Sequence, residues 1–461
     1  MSYIFYDTET TGIRTSFDQI LQFAAIKTDT DLRILDTFNV RCRLLPHVVP
    51  SPGALLVTGV TVADITSAPL SHFEMMRQVR AKMGEWSRDG AVFIGWNSMR
   101  FDETLLRQAF YQTLLPVYQT NTNGNGRADL MRIIQVVSCC APNILAVPLK
   151  VDGKATFKLG LVAEANGIAV ANAHDALADA EATILVARLV KERAPVLWDA
   201  MMTNARKNGP LNLIANHHIL ALNENLFGNQ YNFVVAPITA NSNNTAEWGV
   251  FDLQYDPLAY LEMSDSDLSA AIGGKVKAIR RVSVNAHPAL LPVEFAPADV
   301  RGGRLPLEIY QARARLVQEH SMFRQRVARL LAARYEDQPA AVHIEQRIYD
   351  GFPSNSNQSR MEAFHLQSWE KRVDIIRTID DDRYRQLGQR IVAAERPDLL
   401  TSDQRSRWDS WRRERFFADG DLPWLTVPRA LEELEDFARD AQPAQQAQLG
   451  ELRHFLNGLG S

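Results

Sequence analysis

The stretch YIFYDTET (3–10) reads as a β-strand, because Tyr3, Ile4, Phe5 and Tyr6 are β-favouring residues in a row. Two acids then intrude, Asp7 and Glu9, one residue apart. Side chains two apart on a strand face the same way, so both carboxylates point to one side at the strand's end. Buried without partners they would be costly, and side by side they repel. A bound divalent cation resolves both problems. The alternative is a pair of exposed acids before the Thr-Thr-Gly turn, and a lone DxE does not exclude it.

Further acids sharpen the choice. Asp102, in GWNSMRFDETLL (95–106), follows a predicted strand and opens a predicted helix; helix capping or a dipole contact would also place an acid there. In NAHDALADAEATILVARL (172–189), His174 precedes Asp179 by five residues. At about 100° per residue those two do not share a helix face. His174 is therefore expected in the entry loop and Asp179 on the helix, against the alternative of a surface histidine near an ordinary helical acid. Each feature is weak alone, but together they form an ordered set. Four carboxylates are the hard oxygen ligands that Mg²⁺ prefers, and a neutral histidine can serve as a base.

The 461 residues suggest about three domains of roughly 150 each. A net charge of −4 does not advertise a nucleic-acid binder, so any phosphate-binding surface must be a local patch. The three cysteines, Cys42, Cys139 and Cys140, form no CxxC pair. They fit neither a disulfide framework nor a zinc site, which leaves reduced thiols and a cytoplasmic location as the expectation. Neither a basic signal-peptide start nor an apolar run long enough for a membrane span is seen.

Residues 1–195 alternate strand and helix patterns. Strands are expected at Ile20–Thr28, Ile34–Arg43 and Ala91–Trp96, and helices at His72–Trp86, Phe101–Leu115, Ala128–Cys140, Lys158–Asn166 and Asp175–Arg193. This argues an α/β domain with a mixed sheet. Residues 196–350 read as a mainly β module, with strands at Tyr231–Ile238, Trp248–Gln254 and Ala278–Val284 and one helix over Leu307–Arg334. Residues 351–461 are helical: Arg360–Ile379, Arg383–Glu395, Ser402–Phe417, and Val427–Leu456 with interruptions. Arg313, Arg315, Arg324, Arg326, Arg329 and Arg334 share one predicted helix and suggest a phosphate or acidic-peptide surface, or else a solvated face. Trp408 and Trp411 lie three apart in an arginine-rich helix; core packing is favoured for them over base stacking.

The order DxE, FD, HxAxxD resembles the DEDDh exonucleases. The stretches QFAAIKTD (22–29), SPGALLVTGVT (51–61), GWNSMRFDE (95–103), EANGI (164–168) and NAHDALADAEATI (172–184) look like the bacterial exonuclease I family, and VAPIT (235–239), SVNAHPALLPVE (283–294) and IYDGFPS (348–354) carry the likeness onward. That resemblance implies an RNase H-like exonuclease domain (1–195), an SH3-like module (196–350) and an all-α C-terminal domain (351–461), the last two closing a channel over the site. It implies a single-strand-specific exodeoxyribonuclease acting processively 3′→5′ in DNA repair and recombination, and releasing 5′-mononucleotides. Asp7, Glu9, Asp102 and Asp179 would hold two Mg²⁺ ions, with Mn²⁺ able to substitute, and His174 would be the base. Thr8, Glu9, Thr10, Gln22, Arg100, Phe101 and Lys158 would meet the substrate. Phe101 as a core residue and Lys158 as a solvated one are equal alternatives. Lys158 stands where the family carries Arg, which keeps the charge but loses the guanidinium fork. The implied partners are single-stranded DNA and the acidic C-terminal tail of single-stranded DNA-binding protein; the implied state is a monomer. The same chemistry on RNA, or a catalytically silent nucleic-acid clamp, are the competing readings.

Overall fold

A computed structural model describes residues 1–169, 174–226, 228–274, 277–297, 300, 303–334 and 340–459. Residues 172 and 173 of the NAHD stretch lie outside the described residues. The first sheet is built from β1 (Ser2–Thr10), β2 (Ile20–Thr28), β3 (Ile34–Arg41), β4 (Ala91–Gly95) and β5 (Gly126–Asp129), in the order β3-β2-β1-β4-β5. The first three form an antiparallel meander, while β4 and β5 run parallel to β1, so the sheet is mixed.

The two-residue period of β1 divides the domain. Tyr3 and Phe5 enter one core, beneath the helix Ala176–Arg193. Ile4 and Tyr6 enter the other, beneath the helices His72–Trp86 and Asp102–Gln112. Burying apolar side chains on both faces is what a sheet covered by helices on both sides requires. One expected helix is shorter than the sequence pattern suggested: Ala128 and Asp129 belong to β5, and the helix that follows is Leu130–Cys140.

The second sheet is wholly antiparallel: β6 (Leu220–Leu226), β7 (Asn229–Ala240), β8 (Glu247–Asp252), β9 (Ile279–Ser283) and β10 (Leu290–Pro292), in the order β10-β6-β7-β8-β9. The helix expected over 307–334 is two helices, Leu307–Glu319 and Ser321–Ala333. They break at His320, whose ring nitrogen accepts the Phe323 N–H at 3.0 Å. Four arginines of the stripe are engaged within the fold. Arg313 donates to the carbonyls of Leu253 and Gln254, Arg324 to that of Ile238, and Arg326 and Arg329 to Asp265. These groups bind the helices to the sheet and to Asp265, while Arg315, Arg324, Arg329 and Arg334 remain exposed.

The C-terminal region is helical, as expected, but Arg360–Ile379 is divided into Asn355–Leu366 and Trp369–Thr378. Trp408 and Trp411 stack on one another at 5.1 Å and against the buried His47, half-buried rather than in a closed core. The expected boundaries at 195 and 351 are not breaks in packing. One core runs from Phe5 through Trp198 to Val234 and Phe251. A second joins Leu21, Val49 and Leu55 to Phe416, Leu434 and Leu452, and a third joins Phe73 and Tyr111 to Ile344 and Leu387. Among the described residues no helix is long and apolar enough to cross a membrane.

Candidate active site

The pairing of β1 with β4 stops at Phe5↔Ile94, so toward its C-terminal end β1 is paired only with β2 and its other edge is open. Asp7 and Glu9 share the face of Tyr3 and Phe5, toward the helix that carries Asp179. Carboxylate oxygens of Asp7, Glu9 and Asp179 lie within 4.8 Å of one another. Thr8 points to the opposite face, where its hydroxyl donates to the Asp102 carboxylate at 2.6 Å. Asp102 is the first residue of its helix and is buried. It thus closes the unpaired edge of β1 beside the other three acids.

Among the described residues no Lys or Arg forms an ion pair with these four acids, and the favourable charge of Arg41 on Glu9 is outweighed by burial and by the neighbouring acids. Burial, followed by the charges of Asp102, Glu9 and Asp179, drives the Asp7 carboxyl well above the ordinary range. Burial, followed by the charges of Asp179, Asp102 and Asp175, pushes Glu9 up to about 8. Burial pushes Asp102 up to about 7, although the Thr8 hydrogen bond opposes it. Burial also raises Asp179, against the favourable charge of His174. Several acids without an ion-pair partner among the described residues, with oxygens converging within ligand reach, are a donor set for a hard divalent cation. The residues fit such an ion.

His174 sits just before the helix Ala176–Arg193, exposed, with left-handed backbone (φ 70°). Its backbone N–H meets the Asp179 carboxylate, so the turn is fastened to the acid it precedes. The helix is started by Asp175, which accepts the N–H groups of Leu177 and Ala178. Asp175 is itself gripped by Gln22 at 3.1 Å and by Arg41 at 2.7 Å. Since Gln22 pairs with Glu9 across the sheet, this grip sets the helix against the acid strand.

The remaining expected site residues separate into two groups. Thr8, Thr10 and Gln22 are buried, and their side chains bond inward to Asp102, the Gly12 carbonyl, and Asn39 with Asp175. Arg100 and Lys158 are exposed. Arg100 lines a groove between the two sheets together with Asn97, Arg132, Asn225 and Arg281. Phe101 is half-buried, its ring packed against the second face of the sheet. Two residues were missed. Asp175 carries an N-cap signal, an Asp ahead of a helical run. Asp129, which ends β5 and accepts the Asn97 N–H at 2.9 Å, orders the loop leading to Asp102.

Comparison with known proteins places this geometry. The sequence matches the domain described as "Exonuclease" over residues 4–187 and the "Exonuclease I C-terminal domain" over residues 342–459. The chain carries an exonuclease domain and an exonuclease I C-terminal domain. It is 27% identical over 436 residues to exodeoxyribonuclease I of Haemophilus influenzae, covering 90% of each chain. Its fold matches the crystal structure of Escherichia coli exonuclease I in complex with a dA16 oligonucleotide, with a TM-score of 0.88 and 24% identity over 99% of each chain. It also matches a crystal structure of SSB/exonuclease I in complex with the inhibitor CFAM, with a TM-score of 0.83 and 23% identity over 99% of each chain. The exonuclease I likeness therefore includes the helical C-terminal part and is not confined to the acidic site.

Proposed function

We propose that this chain degrades single-stranded DNA processively from the 3′ end, releasing 5′-mononucleotides, in DNA repair and recombination. The observation that carries the reading is the convergence of Asp7, Glu9 and Asp179 within 4.8 Å, in a chain that carries an exonuclease domain and an exonuclease I C-terminal domain. Asp7, Glu9, Asp102 and Asp179 would hold two Mg²⁺ ions, or Mn²⁺ in their place. When bound, such ions supply an acidified water and offset charge on the scissile phosphate and its leaving oxygen.

The chain's own residues do the rest. Asp7 is central on the strand, which suits a shared ligand. His174, exposed beside Asp179, is the proposed acceptor of the water's proton. Thr8 orients Asp102, while Gln22 and Arg41 orient the helix bearing Asp179. Arg100 and Lys158 are the proposed phosphate contacts, and Phe101 and the backbone about Glu9 and Thr10 flank the terminal nucleotide. The groove of Arg100 and Arg281 between the two sheets offers a path for one strand. On this reading the functional units are 1–195, 196–350 and 351–461, acting as a monomer in the cytoplasm, with the acidic tail of single-stranded DNA-binding protein as a partner.

Digestion of a 5′-labelled DNA oligomer with and without Mg²⁺, beside the blunt duplex and the matching RNA, tests this. Mg²⁺-dependent shortening of the single DNA strand alone is expected. Attack on RNA instead would overturn the substrate, and binding without cleavage would move the function to a clamp.

A further inference from the structure

The loop joining β1 to β2 follows directly on Glu9 and Thr10, and a bulge interrupts the sheet register between those two residues. It forms the rim of the acid site. Inside it, Thr11 donates its N–H to the Gln19 carbonyl at 2.9 Å and its hydroxyl to Asp18 at 3.1 Å. Asp18 also accepts the Arg14 N–H at 2.6 Å. Gly12 lies so close to Asp18 that a Cβ there would stand 2.6 Å from the carboxylate. These bonds make the loop one unit, but they do not anchor it to a surrounding frame.

The nuclease domain holds the loop's C-terminal half, with Gln112 donating to the Ser16 carbonyl at 3.0 Å and Gln19 bonded to Arg43 and Leu45, and a further anchor comes from the far end of the chain. Phe17 is buried, with its ring 5.7 Å from Trp424 and 6.0 Å from His343, and the Arg415 guanidinium 5.5 Å from its centre. The cage is itself fixed. Trp424 donates to the Arg415 carbonyl at 2.9 Å, and Arg415 is paired with Glu345 at 2.9 Å. A second link lies beside it. Glu433 accepts the Ser51 hydroxyl at 2.6 Å and the Gly53 N–H at 3.2 Å, and the Ser51 N–H in turn holds the Thr11 carbonyl at 2.8 Å. Both links end on the segment that leaves the acid strand.

We propose that the C-terminal helical region positions the active-site rim, with Phe17 and Glu433 as the positioning residues through which it holds Glu9 in register. The kinetic side of this inference rests on the exonuclease reading; its metal-binding side does not. An acid displaced by a fraction of an ångström loses rate without losing substrate. Phe17→Ala and Glu433→Ala are therefore expected to lower kcat about tenfold on a DNA oligomer. The same loss is expected on the p-nitrophenyl ester of thymidine 5′-monophosphate, which is too small to reach beyond the acids. KM for the oligomer is expected to stay unchanged, and terbium(III) luminescence to show weakened ion binding. Phe17→Leu should restore most of both.

Wild-type kcat and terbium binding in folded Phe17→Ala and Glu433→Ala would overturn the proposal, as would a loss confined to KM for the oligomer. If Phe17→Ala does not fold, Glu433→Ala and Trp424→Phe decide it by the same readings. Should the wild type cleave neither substrate, the exonuclease reading fails, and the terbium measurement alone still judges the positioning.

Discussion

Two buried acidic centres in this chain are solved in opposite ways. Glu345 is almost wholly buried between Arg390 at 2.8 Å and Arg415 at 2.9 Å. Burial alone would raise its carboxyl, yet the two guanidinium charges hold it below its ordinary value. Glu9 and Asp102 are similarly buried and Asp7 half-buried beside them, and burial with repulsion from neighbouring acids drives all three upward. The first centre carries its own cations and is structural. The second is left short of positive charge by the fold, and the missing charge is what a metal ion brings. A buried acid is thus read by its partners rather than by its burial.

Disturbing each centre should separate them. Asp7→Ala removes the proposed shared ligand; cleavage should fall at least about a thousandfold, while binding of a single strand, measured by fluorescence anisotropy in EDTA, should persist. Wild-type rates in that variant would end the metal assignment. Glu345→Gln leaves two guanidinium groups buried with no counter-charge, and a loss of about 3 kcal/mol is expected from denaturant unfolding. A neutral outcome would show the triad to be dispensable.

The acid cluster also predicts an unusual dependence on pH. Glu9 at about 8 and Asp102 at about 7 hold protons in the fold that the unfolded chain has already released. Their contribution to stability is present below the unfolded values of roughly 4 and is lost as pH rises through 7 to 8. The metal-free protein should therefore melt lower at pH 8.5 than at pH 6, and Mg²⁺ should raise the melting temperature more at the higher pH. Equal Mg²⁺ shifts at both would count against the cluster as the ion's site. The smallest effect belongs to Asp175→Ala, which removes a helix cap worth about 1 kcal/mol and frees Gln22 and Arg41. A modest drop in both melting temperature and cleavage rate is expected, and an unchanged rate would detach this grip from the site.

How far the sequence could be read depended on whether the cause was local. The strand period alone puts Asp7 and Glu9 on one face, and the five-residue interval puts His174 ahead of the helix bearing Asp179. The bond between Thr8 and Asp102 joins residues 94 apart, and nothing local announces it. Asp129 was hidden because a four-residue strand runs straight into a helix, too short for a period to show. β6, LALNENL, loses its alternation in Asn223, Glu224 and Asn225, and is a strand through pairing with β7 and β10. The helix break at His320 uses a ring nitrogen in place of Pro or Gly. The arginines of 313–329 look free in the sequence because their carbonyl and Asp265 partners lie about 60 or more residues away.

The packing of Leu21, Val49 and Leu55 beneath Leu434, Leu449 and Leu452 has a consequence for how the chain is made. A ribosome adding about 5–20 residues each second delivers the first group tens of seconds before the second. Throughout that interval the nascent nuclease domain displays an apolar flank that its own sequence cannot yet cover. Holding chaperones have their natural target there, and slowed translation of the closing helices would prolong the exposure.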